Sequence, residues 1–246
     1  MKQVIILFCF IILSSCMSDK DSQKYYFSTQ SLSKEGCAGA NCAKVNFSWP
    51  HLENHPDSSK INSMIEAKLE NYILSADSTP SGDFGAQSFL DEYLQIKKEF
   101  PDMSGEWFID VKAEVLFDSL GLVTIQFYNE GYTGGAHGNY SWDFLNFDLE
   151  TGNELKNEDL ILDEEALLKI TERKFREFHE VKDGVDLIST GFFDIPESGF
   201  FLPRAMGYSG SNFKLIYNSY EIGPYALGPT ELEIDLKELK GIVKMD

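Results

Sequence analysis

Gly131-Tyr132-Thr133-Gly134-Gly135-Ala136-His137-Gly138-Asn139 interrupts two runs of strand-like alternation near the middle of this 246-residue chain. Before it, Val111, Ala113, Val115 and Phe117 alternate with Lys112, Glu114 and Leu116. Asp118-Ser119-Leu120-Gly121 then supplies a turn, and Leu122 to Tyr128 a second strand, so the spacing predicts a hairpin. After it, alternation resumes through Trp142, Phe144, Phe147 and Leu149 up to a turn at Thr151-Gly152. Glycines clustered this densely allow positive φ or a close backbone approach. The segment is therefore read as the junction of two modules, with His137 as its one chemically open residue.

Outward from this segment the two sides differ. On the N-terminal side, Val45, Phe47 and Trp49 form a half-buried strand pattern that Pro50 is expected to end. Asp57-Ser58-Ser59 caps a helix carrying Ile61, Met64, Ile65, Leu69, Tyr72 and Ile73, and a second helix is predicted from Ala86 to Phe100. A loop with Pro80, Gly82 and Gly85 lies between them. On the C-terminal side, Asp163 caps a helix running to about His179. The apolar runs Gly191-Phe192-Phe193 and Phe200-Phe201-Leu202, a strand at Asn212–Tyr217 and the alternation Leu232, Ile234, Leu236 follow, with a short helix expected from Lys237. Helices and strands are segregated, so the fold class is α+β: two modules, largely antiparallel sheets and packed helices. The boundaries are placed at 30–130 and 131–246.

Composition narrows the function. Hydrophobic residues make up 43% and aromatics 13%, enough for a substantial core. The formal charge is −19, from 21 basic and 40 acidic residues, which argues against nucleic-acid binding. It suits a solvated acidic surface or a basic partner met through electrostatic steering.

The N-terminus reads as a targeting signal. Met1-Lys2 precedes an apolar run from Val4 to Leu13, too short to span a bilayer, and Leu13-Ser14-Ser15-Cys16 follows. This resembles a bacterial lipobox. The resemblance implies cleavage before Cys16, a lipid on its thiol, and a polar tether over 16–29. The expected location is outside the cytoplasm, anchored to a bacterial membrane. Cys37 and Cys42 remain, and in an oxidising compartment they are read as a small-loop disulfide. His51 and His55 are bracketed by Pro50 and Pro56, which argues against a helix presenting both to a metal.

Tyr132-Thr133-Gly134-Gly135-Ala136-His137-Gly138, with Phe144-Leu145-Asn146-Phe147-Asp148 and Thr151-Gly152, resembles the extracytoplasmic region of RsiV-type anti-sigma factors and the non-catalytic N-terminal region of PdaC-type deacetylases. Phe213-Lys214-Leu215-Ile216-Tyr217, Tyr220-Glu221-Ile222 and Pro224-Tyr225-Ala226-Leu227-Gly228 fit the same pattern. The resemblance implies an α+β fold, export and, for RsiV itself, lysozyme binding. The chain is read as lacking a sigma-binding segment and a deacetylase domain, so neither sigma-factor control nor deacetylation is expected from it.

Candidate chemistry centres on His137. It is read either as a general base with Glu130 as its orienter, or as a turn histidine bonded to neighbouring backbone. No nucleophile accompanies it. Ser209 in Gly207-Tyr208-Ser209-Gly210-Ser211 departs from the nucleophile-elbow pattern at its last residue and reads as a turn serine. Asp143, Asp148 and Glu150 lack the ligand spacing of a calcium loop. Phe192, Phe193, Phe200 and Phe201 read as core.

The expectation is a non-enzymatic envelope lipoprotein with Tyr132, Gly134, Gly135, His137 and Asn139 as its contact element. A basic, lysozyme-like protein or a peptidoglycan fragment is the expected partner. No catalytic residue, cofactor or metal is assigned. A cell-wall hydrolase using His137 and Glu130, and a purely structural lipoprotein, are the alternatives.

Overall fold

The computed structural model describes residues 25–73, 83–102, 105–197 and 199–245. The expected signal peptide, Cys16, most of the tether and the Pro80–Gly82 part of the first loop lie outside them. Among the described residues, no helix is long and apolar enough to cross a membrane.

A six-stranded sheet takes the first two thirds of the chain. Its strands are β1 (Tyr26–Ala38), β2 (Asn41–Glu53), β3 (Trp107–Ser119), β4 (Leu122–Tyr132), β5 (Asn139–Asp148) and β6 (Asn153–Leu155), in that spatial order. Every neighbouring pair is antiparallel except β2–β3. A parallel pair needs a long crossover. Helices α1 (Ser58–Glu70) and α2 (Ala86–Glu99) supply it.

The crossover also supplies the core. Ile61, Ile65 and Leu69 of α1 and Phe89, Leu90 and Tyr93 of α2 are buried with Val45, Phe47, Val111, Ile125, Phe127 and Phe147. Each fully buried side chain of this size contributes about 1.5–3 kcal/mol of transfer free energy. Since strand side chains alternate, Thr124, Tyr128, Tyr140, Trp142 and Asn146 face the opposite way.

The second unit begins with α3 (Asn157–Leu160) and α4 (Glu164–Phe178) and continues through a three-stranded antiparallel sheet, β7 (Ala205–Ser209), β8 (Asn212–Tyr217) and β9 (Thr230–Asp235). Asp163 caps α4 by accepting from the Ala166 N–H at 3.0 Å. Leu167 and Phe175 of α4 are buried with Tyr208, Phe213, Leu215, Tyr217, Leu232 and Ile234.

The two sheets meet at β7. Thr124 Oγ1 donates to Asn146 Oδ1 at 2.6 Å, Asn146 Nδ2 donates to the Met206 carbonyl at 3.1 Å, and Tyr208 N–H donates to Thr124 Oγ1 at 3.2 Å. The backbone of β7 thus finds partners on the helix-free face of the first sheet. Gly207 permits the approach, because a Cβ there would lie 2.7 Å from Asn146 Oδ1 and from Thr124 Cγ2.

Several expectations change. The α+β class with mostly antiparallel sheets holds. The boundary expected at 130/131 falls inside one sheet, because β4 and β5 pair from Leu122↔Asp148 to Gly131↔Asn139. The break between sheets comes after Leu155. Pro50 does not end β2, which runs on to Glu53. Pairing of β2 with β3 stops at Ser48, so a missing N–H beyond it interrupts no ladder on that side. The runs at 191–193 and 200–202 form no strands, and residues 236–239 make turns rather than a helix. Gly210 and Ser211 form the two-residue turn of the β7–β8 hairpin, so Ser209 closes a strand and is not on an elbow.

Candidate functional site

The Gly131–Asn139 segment is the tip of the β4–β5 hairpin. Gly134 and Gly135 have φ of 99° and 105°, in the region that side chains rarely adopt. The tip is closed internally by the Tyr132 hydroxyl, which donates to the Gly135 carbonyl at 2.9 Å.

His137 is exposed and held from two sides. Its Nδ1 lies 2.9 Å from the Gly138 carbonyl, which can only accept, so Nδ1 carries the proton and Nε2 is left as the open nitrogen. Its ring stacks on Tyr225 at 4.0 Å between centroids and 20° between planes. The Tyr225 hydroxyl donates to the same Gly138 carbonyl at 2.9 Å. The tip is therefore a docking point for the 218–228 loop of the second unit.

Glu130 does not join His137. Its carboxylate accepts from the Tyr128 hydroxyl at 3.1 Å, and no hydrogen bond or ion pair links it to the imidazole. Asn139 begins β5 opposite Gly131. Tyr132, Gly134, His137 and Asn139 share the wall of a small 170 Å³ cavity with Tyr72 and Ile109, while Gly135 projects from the tip.

The tip continues into a ledge that sequence reading missed. Tyr128 and Trp142 are directly cross-strand on the helix-free face, with centroids 5.0 Å apart. Tyr140 lies 5.7 Å from Trp142 and 5.7 Å from Tyr225, and Tyr220 is 5.6 Å from Tyr225. With His137 this makes six contiguous rings from three chain segments. Burial first, then Glu130, pushes the Tyr128 hydroxyl pKa upward. Alternation at 128/130 and 140/142 was legible. The arrival of Tyr220 and Tyr225 was not, because it depends on how the 218–228 loop folds over β5. Asn218 sets that position by accepting from Trp142 N–H at 2.8 Å and donating to its carbonyl at 2.9 Å.

The remaining candidates disperse. Cys37 and Cys42 are disulfide-bonded across the β1–β2 hairpin. With Glu35 they form the one grouping of metal-type ligands among the described residues, but their sulfurs are bonded to each other. His51 Nε2 pairs with Asn62 Nδ2, and His55 Nδ1 accepts from Asp57 N–H. Asp143 accepts from Tyr72 and pairs with Lys68, whereas Asp148 caps the turn at Glu150 and Thr151. Those acids therefore serve different places. Phe192 and Phe200 pack on Phe175, and Phe201 packs on Tyr217.

Residues 38–140 match the family model described as deacetylase PdaC, and residues 158–237 match the one described as a protein of unknown function, DUF3298. A DUF3298 family protein from Pseudomonas aeruginosa PAO1 is 23% identical with a TM-score of 0.63. A second DUF3298 member, from Bacteroides fragilis NCTC 9343, is 21% identical with a TM-score of 0.66. Each crystal structure covers 90% of this chain, which in turn covers 94% of each. No protein of curated function matches. The first match ends just inside β5 and the second begins within α3, so the rest of β5 and all of β6, which belong to the first sheet, lie between them. The chain therefore joins a region similar to PdaC to one similar to DUF3298, on a fold that two bacterial DUF3298 structures share.

Proposed function

We propose that this chain is a non-catalytic binding module of the bacterial cell envelope, exported and lipid-anchored through Cys16, that captures a basic protein on its aromatic ledge. The observation that carries this reading is the run of six rings, Tyr128, Trp142, Tyr140, Tyr225, His137 and Tyr220, of which the first four are half-buried and the last two exposed, on a chain of formal charge −19. Tyrosine and tryptophan dominate interface hot spots, and their faces attract Lys and Arg side chains. The acidic surroundings add steering and select against acidic partners. Expected contacts shift from the hairpin tip alone to the ledge: Tyr132 and the glycines shape it, while His137 takes part through its stacked ring.

A cell-wall hydrolase using His137 and Glu130 is less well supported, since the two do not couple and no nucleophile lies between them. A second reading replaces the basic protein by a peptidoglycan fragment, favoured by rings spaced on the scale of single sugars.

Calorimetry tests both ligands. The chain from Cys16 onward is titrated with a lysozyme and, separately, with peptidoglycan fragments, at low and moderate salt. Lysozyme binding that weakens with salt and drops roughly ten- to thirtyfold in Trp142→Ala or Tyr225→Ala is the expected result. Absence of binding to both ligands, or affinities indifferent to both substitutions, would sink the proposal.

A further inference from the structure

We infer that a cleft beside the ledge binds a carboxylate-bearing small ligand, an acidic sugar or the C-terminal end of a peptide, with Arg204 as its carboxylate anchor. The cleft measures about 600 Å³, within the usual range of small-molecule sites. It lies between the edge of β5 and two segments of the second unit, the coil ending at Arg204 and the loop at Asn218–Glu221.

The charges in its wall are unequally committed. Asp143 is held by Lys68 at 3.0 Å and by the Tyr72 hydroxyl at 2.9 Å. Glu221 accepts from the backbone N–H groups of Arg204 and Asn218, at 2.9 and 2.8 Å. Asp194 and the Arg204 guanidinium have no such partner among the described residues. The chain contains only three arginines, and the other two are ion-paired: Arg173 with Glu177 and Glu238, Arg176 with Glu172. In a chain with nearly twice as many acids as bases, an arginine left without a carboxylate has that valence open.

The anchor is also placed in advance. Arg204 is fixed through its own backbone, its N–H to Glu221 and its carbonyl accepting from Asn157 Nδ2 at 3.0 Å. A guanidinium offers two parallel N–H donors to a carboxylate, and the held backbone confines where that fork can reach. Ser219 lines the same cleft with a buried hydroxyl that has no hydrogen-bond partner among the described residues. Such a group is costly unless something completes it. Trp142, Phe201 and Leu202 supply apolar walls for the body of the ligand, and Asp194 an acceptor for its hydroxyl or ammonium groups. Asp194 and Tyr220 hold φ of 56° and 69°, so two non-glycine residues in left-handed backbone border one opening.

This site stands apart from protein capture on the ledge, although Trp142 and Tyr220 border both. Ligand-observed NMR and calorimetry on the full chain test it, with glucuronic acid and N-acetyl-dialanine as probes and their methyl esters as controls. The expected result is that an acid binds and its ester binds at least about tenfold more weakly. The better of the two acids identifies the source of the carboxylate. Arg204→Gln is expected to remove the preference for acid over ester. Its thermal midpoint should stay at the wild-type value, because the guanidinium holds nothing within the chain. Arg204→Lys should restore part of the preference, and Ser219→Ala should weaken the acid severalfold. Equal binding of acid and ester, a preference that survives in Arg204→Gln, or no binding of either acid at millimolar concentration would overturn the inference.

Discussion

At the C-terminal end of α4, two effects oppose each other on His179. A helix C-terminus favours a protonated imidazole, by up to about 2 kcal/mol in partly buried settings. Burial among Phe175, Phe178 and Phe192 disfavours it, and Nε2 is already engaged with Thr230 Oγ1 at 2.7 Å. Burial wins, and the His179 pKa lies below its ordinary value of 6.5. The unfolded chain then binds more protons than the folded one between the lowered pKa and 6.5, so stability falls as pH drops through that window. Thermal midpoints at about pH 7.5 and about pH 5.5 check this against His179→Gln. The wild type should lose more on acidification, and an equal loss in the variant would remove the assignment.

At the scale of elements, the contact between β7 and the first sheet depends on one absent side chain. Gly207 needs no unusual backbone angle; it needs space. Alanine there would press a Cβ against Asn146, Thr124 and Phe144 at 2.7–2.9 Å. Gly207→Ala should therefore destabilise by about 1–3 kcal/mol, measured as a lower denaturant midpoint with the slope unchanged. A midpoint like wild type would show that β7 can move away freely. The helices show the opposite situation. Asp163 as a cap, the spacing of Leu167 and Phe175, and the apolar faces of α1 and α2 are local signals; α2 and α4 fall within a residue of where the spacing puts them, whereas α1 ends at Glu70, short of the expected Ile73. Strand β7 was overlooked because Ala205–Ser209 is short and buried on both sides, so it carries no alternation.

For the molecule as a whole, the buried bridge Thr124–Asn146–Met206 makes the two sheets one packed body. Asn146→Leu leaves the Thr124 O–H without its acceptor and the Met206 carbonyl without the Asn146 donor, at a cost of about 2–3 kcal/mol. Thr124 and Asn146 share one hydrogen bond, so Thr124→Val combined with Asn146→Leu should cost clearly less than the sum of the single changes. Strictly additive losses in chemical denaturation would argue against a shared network. The same joint brings Tyr220 and Tyr225 over the β4–β5 hairpin and Arg204 beside Trp142. Both proposed sites thus depend on residues far apart in sequence.

The amino-acid sequence by itself determined the three long helices and the β3–β4 hairpin, through the 3.6-residue and two-residue periods, the cap at Asp163 and the turn at Asp118–Gly121, and with them the α+β class. It also drew attention to Gly131–Asn139 and named His137. Those are short-range properties, written in neighbouring residues. Only the tertiary structure decided that this segment is a hairpin tip rather than a module junction, that Glu130 serves Tyr128 and not His137, and that six rings converge on one face. The reason is physical. Which strand pairs with which, and which loop covers which face, is settled by packing and by hydrogen bonds such as Asn218 to Trp142, 76 positions away, and no local pattern encodes a contact over that distance.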